Sequence, residues 1–101
     1  MINDKQFEDA FTAAGGWFIV TQFETVLNWS GKKSDLVDKI FQMGFDKNRT
    51  GTNTRVSSLI RIIENNRGNE ALEKIRDSKT INRMHPEAES IAKTLLDIYY
   101  K

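Results

Sequence analysis

Few side chains in this chain of 101 residues are able to do covalent chemistry. It has one histidine and no cysteine, which removes thiol nucleophiles, Cys-ligated zinc and disulfides together. His85 stands before Pro86 at a predicted helix start, a setting for a capping or solvent-facing imidazole, and no nucleophile motif surrounds it. The close carboxylates Asp35/Asp38 and Glu87/Glu89 fall in or near first helical turns, where the helix dipole accounts for them. The expectation is a non-enzyme with no cofactor and no metal. What does gather is binding chemistry. Residues 45–57, FDKNRTGTNTRVS, crowd Thr50, Thr52, Asn53, Thr54 and Ser57 around Lys47, Arg49 and Arg55.

Two ligands compete for that stretch. Counted from Asp46, it offers Asp46, Asn48, Thr50, Gly51, Thr52, Thr54 and Ser57, and over twelve residues it resembles an EF-hand calcium loop with its central glycine in place. It holds one carboxylate, three cations, and Ser57 where the bidentate glutamate belongs, so a divalent ion meets net repulsion. An anion suits it better: hydroxyls, an amide and guanidinium groups at a helix N-terminus, with Asn53 or Thr52 as cap, favour phosphate. Arg55 is then an exposed ligand at the helix start, removable without harm to the fold.

A second polar helix start lies upstream. Residues 30–40, SGKKSDLVDKI, close a stretch of about twenty residues, 21–41, that resembles the SAP motif, a helix–loop–helix DNA-binding module. The resemblance implies Gly31 and Lys32 at the turn into a helix, Leu36 and Ile40 in a small core, and basic contacts around Lys32 and Lys33. Gly31-Lys32-Lys33-Ser34 is not a P-loop, because Val26 stands where the first glycine is required. Ser30, Gly31, Ser34, Leu36 and Ile40 echo Thr50, Gly51, Thr54, Val56 and Ile60 at an interval of twenty, the pattern of two similar helix starts.

The elements that must position these groups are helical. Asn3 with Gln6 caps a helix over 4–14, built on Phe7, Ala10, Phe11 and Ala14 and stopped by Gly15-Gly16. Thr21 with Glu24 opens a second over 21–29, with 17–20 as its buried approach. Ser34 caps a third that carries Leu36, Val37, Ile40 and Phe41, pairs Asp35 with Lys39 and ends at Gly44. A fourth runs over 54–66 and buries Val56, Leu59, Ile60 and Ile63; a fifth covers 69–77; Pro86 opens a sixth. No alternating pattern offers a strand partner, so the fold class is all-α: one domain, 1–101, a compact bundle of five to six short helices.

Charge and aromatics narrow the function. The formal net charge is +1, yet residues 32–83 carry twelve Lys or Arg against seven Asp or Glu. Lys32, Lys33, Lys47, Arg49, Thr52, Asn53, Arg55 and Arg61 are the candidate contacts of a basic edge that binds DNA or RNA with little sequence preference. The alternative is a protein-interaction module or inhibitor, or a homodimer, anchored by Trp17, Trp29, Tyr99 or Tyr100, since so small a domain cannot easily bury all four rings. No signal sequence and no membrane-length apolar run is visible, so the expected place is the cytoplasm.

Overall fold

Asn3 accepts a hydrogen bond from the Gln6 amide at 2.8 Å, and the Gln6 side chain accepts one from the Asn3 amide at 3.0 Å. This reciprocal capping box starts α1, Asp4–Ala14, in the computed structural model, which describes residues 1–101. Gly15 ends α1 with φ 86°, a left-handed conformation glycine enters without a Cβ penalty, and the chain turns at once into α2, Gly16–Leu27. Residues 17–20 are therefore helical. Thr21 sits inside α2 and does not cap it: its hydroxyl donates to the Trp17 carbonyl at 2.8 Å. Phe18, Ile19, Val20, Phe23 and Val26 are buried on several sides of α2, as a helix at the centre of the molecule requires.

The remaining helices are α3, Lys33–Phe41; α4, Arg49–Glu64; α5, Gly68–Asp77; α6, Lys79–Met84; and α7, Ala88–Tyr99. All regular structure is helical, in seven elements where five to six were expected. The additional one is α6. Ser78 caps it by accepting from the Ile81 amide at 3.1 Å, and the Asn82 side-chain amide donates to the carbonyls of Ile75, Arg76 and Ser78. α3 has Lys32 as its cap residue, so Ser34 lies in its first turn. α4 begins at Arg49 and not at Thr54, because Asn48 is its cap and accepts from the Gly51 amide at 2.9 Å.

α5 packs along α7 and α1 along α4, while α2 touches all four. α3 has its one extensive helix contact with α4. A single core of 21 buried hydrophobic residues results. The radius of gyration of 12.8 Å is that of a compact chain of this length, about 13 Å. Within the core α4 buries Thr52, Val56, Leu59 and Ile62, whereas Ile60 and Ile63 are only half-buried. Gly68 lies in a close approach: a Cβ there would meet the Tyr100 phenol oxygen, which would have to shift, and lie 3.0 Å from the Phe23 ring. Arg67 fastens α5 to α1, donating to Asp4 and Glu70 with its guanidinium 4.2 Å from the Phe7 ring centre, and the bond to Glu70 raises its pKa further. No helix is long and apolar enough to cross a membrane.

Candidate nucleic-acid interface

The stretch 45–57 folds around Asp46, in the loop between α3 and α4. Its carboxylate accepts from the Thr52 hydroxyl at 3.0 Å and from Arg55 Nε at 3.0 and 3.1 Å. Arg55 reaches further, donating from Nη1 to the Ala14 carbonyl at 2.6 Å with its guanidinium 5.9 Å from the Phe18 ring centre. One side chain thus ties α4 to the end of α1. Thr52 is fully buried. Both residues, expected to face an anion, are committed inside the fold. From Arg49 onward the segment is helix and not loop, so its oxygens cannot wrap a cation, and its one carboxylate already faces Arg55. No three His, Asp or Glu side chains converge anywhere in the molecule.

Arg49 makes the second tie. It donates from Nε to Asp38 and from Nη2 to the Ser34 carbonyl at 3.1 Å, which holds the first residue of α4 against the first two turns of α3. The two polar helix starts are thereby neighbours. Around them the remaining cations stand free of carboxylates: Lys32 and Lys33 at the start of α3, Lys39 near its end, and Lys47 in the following loop are all exposed and have no ion pair. Lys39 does not pair with Asp35; its ammonium lies 5.6 Å from the Trp29 ring centre. Asn53 is exposed in the second turn of α4, and Arg61, also exposed and unpaired, flanks a shallow depression with Asp9, Ser57 and Ser58. Residues 32–61 carry seven cations against three carboxylates, whereas α1, α5 and α7 bind their basic groups in surface ion pairs.

Beside the start of α3 lies a groove of about 280 Å³. Val26, Leu27 and Trp29 from the end of α2, Leu36 from α3, and Ile60 and Ile63 from α4 line it, with Lys33 and Glu64 at its edge. The Trp29 indole N–H donates to the Lys32 carbonyl at 2.9 Å, closing the α2–α3 loop over Gly31. Ile60, Ile63 and Glu64 are absent from the expected site. The signal for them is the doublet pattern Leu59-Ile60 and Ile62-Ile63, which gives α4 one apolar face for the core and a second beside it.

The four candidate anchor rings are dispersed. Trp17 stacks on His85 with ring centres 4.3 Å apart and planes 5° from parallel. The Tyr99 hydroxyl donates to Glu24 at 2.8 Å, and Trp29 belongs to the groove. Tyr100 sets the edge of its ring on Phe23 yet is 39% exposed, and burial of its phenol pushes the pKa up. Ile98, two residues before it, is 58% exposed. Away from these groups Arg76 hydrogen-bonds Asp77, which lowers the Asp77 pKa and raises that of Arg76. Comparison of the chain with protein-family models, curated proteins and solved structures returns no match.

Proposed function

We propose that this chain is a small non-catalytic domain that binds DNA or RNA through phosphate contacts around α3 and along the exposed side of α4. The observation that supports it is the distribution of unpaired cations: Lys32, Lys33, Lys39 and Lys47 surround α3 and Arg61 follows on α4, while most other basic groups already have carboxylate partners. The likeness of residues 30–40 to a SAP motif points the same way. The contact set is Lys32, Lys33, Lys47, Asn53 and Arg61, with Arg49 and Arg55 holding the helices that carry them. Fluorescence anisotropy of a labelled duplex and a labelled single strand tests the proposal. Affinity should fall steeply between about 50 and about 200 mM salt as counterions are released. No binding at the lower salt, or binding indifferent to salt, would refute it.

A protein partner is the second reading, favoured by Ile98 and Tyr100, exposed two residues apart at the end of α7. Light scattering across a concentration series, on the wild type and on Ile98→Ser, detects self-association through that end. A monomer at every concentration would remove the homodimer.

A further inference from the structure

Resting on the nucleic-acid proposal, we infer that the groove beside Trp29 takes a single unstacked base, and hence that the substrate is single-stranded nucleic acid and not duplex. The groove's volume, about 280 Å³, is near the lower end of ligand pockets, which begin at about 300 Å³. That is room for one flat heteroaromatic group and little more. Its lining combines the Trp29 indole with the aliphatic side chains of Ile60 and Ile63, the apolar and aromatic surface on which a base can stack. Its edges differ in sign. Lys33 is an unpaired cation at one rim, with Lys32 next to it and Lys39 over the Trp29 ring, where the phosphates flanking an inserted base would lie. Glu64, exposed and without an ion pair, is at the rim as well and can only accept hydrogen bonds. A carboxylate in a phosphate-binding region repels the backbone but accepts from the exocyclic amines of adenine, cytosine and guanine. Charge complementarity therefore selects a chain with alternating anionic and amine-bearing aromatic parts. In a duplex each amine still offers one N–H in a groove, but the ring faces are stacked on their neighbours, so only a strand free to splay its bases out can place a ring on the indole as well.

The test uses the Trp17→Phe variant, in which Trp29 is the one remaining tryptophan. It is titrated with a mixed-sequence single strand, the matching duplex, and an abasic strand of equal length and charge, with Trp29 emission and strand anisotropy both followed. The single strand should bind tightest and quench Trp29, and the abasic strand should bind roughly five- to a hundred-fold more weakly, the range of base–aromatic stacking. Trp29→Ala should weaken the single strand by a similar factor and by clearly more than it weakens the abasic strand. Since Trp29 also closes the α2–α3 loop, the surface change Glu64→Ala provides a fold-neutral arm. It should tighten the abasic strand and abolish a preference for cytosine over thymine homopolymers. Equal binding of abasic strand and single strand, or duplex binding as tight as single strand, overturns base insertion while the phosphate reading stands. Binding of no strand at all overturns both. Trp29 emission that changes with protein concentration alone, together with a doubled mass by light scattering, would put a second copy of the chain in the groove and overturn the inference.

Discussion

With Nε on Asp46 and Nη1 on the Ala14 carbonyl, Arg55 cannot be shortened without stranding a half-buried carboxylate and a helix-terminal carbonyl. Arg55→Ala should therefore cost about 1–3 kcal/mol, the range for leaving such a group unsatisfied, and lower the melting temperature by roughly 4–8 °C per kcal/mol. Thermal unfolding followed by circular dichroism measures it; a shift within error would remove the structural role. Nothing in residues 45–57 as written distinguishes an arginine that waits for phosphate from one that reaches a carboxylate nine positions back, because that choice depends on where Ala14 and Phe18 come to lie. The Tyr100 phenol carries a pH dependence of definite sign. Burial raises its pKa above the ordinary 10.0, so its contribution to stability is complete below that pH and is lost as pH rises toward the folded value, where the unfolded chain has already released the proton. Tyr100→Phe keeps the ring on Phe23 and should flatten part of the alkaline fall in stability, as measured by urea unfolding at neutral pH and above the phenol's ordinary range. Gly68→Ala should act on the same contact by driving a methyl into the Tyr100 oxygen and the Phe23 ring, and should destabilise the fold by more than the tenths of a kcal/mol a helix start normally shows.

At the scale of the element, the informative cap is Asn48. Asn48→Ala should cost about 0.5–2 kcal/mol, and Asn48→Gly only a few tenths, if the side-chain bond to the Gly51 amide starts α4. Equal losses for both variants would place the cap elsewhere. The helices that could be read from the residues are those whose start, stripe and stop agree, such as α1, with Asn3, the spacing of Phe7 to Ala14, and Gly15. α4 was legible in its apolar half and not at its start. Thr52, Asn53 and Thr54 look like caps by residue type, but Thr52 faces the core, where Asp46 satisfies its hydroxyl, and helix propagates back through Gly51 to Asn48. α6 escaped because six residues holding only Ile81 and Met84 as apolar side chains produce no stripe. Of the candidate site, the lysines were legible as charges. Their freedom from carboxylates was not, since ion pairs such as Lys74 with Glu8 join residues far apart in the chain.

For the whole molecule, net charge +1 conceals a division of labour: basic groups on α1, α5 and α7 are internally matched, and those around α3 are not. If phosphate binding uses that excess, Lys32→Ala, Lys33→Ala and Lys47→Ala should each reduce the slope of log affinity against log salt by about one. Arg55→Ala, measured below its lowered melting temperature, should leave the slope as it is, because its guanidinium is already committed. The same partition bears on motion. α3 has its only extensive helix contact with α4, held through Leu36, Val37 and Ile40 and by the reach of Arg49 to Ser34 and Asp38. It therefore has fewer helix neighbours to hold it than α2, which meets α1, α4, α5 and α7. Its backbone amides should then exchange with deuterated solvent through a local opening that lies well below global unfolding in free energy, whereas those of α2 and α5 wait for the whole fold to open. A ligand that bridges Lys33 on α3 and Glu64 on α4 fastens this flap, so it should slow exchange in α3 alone.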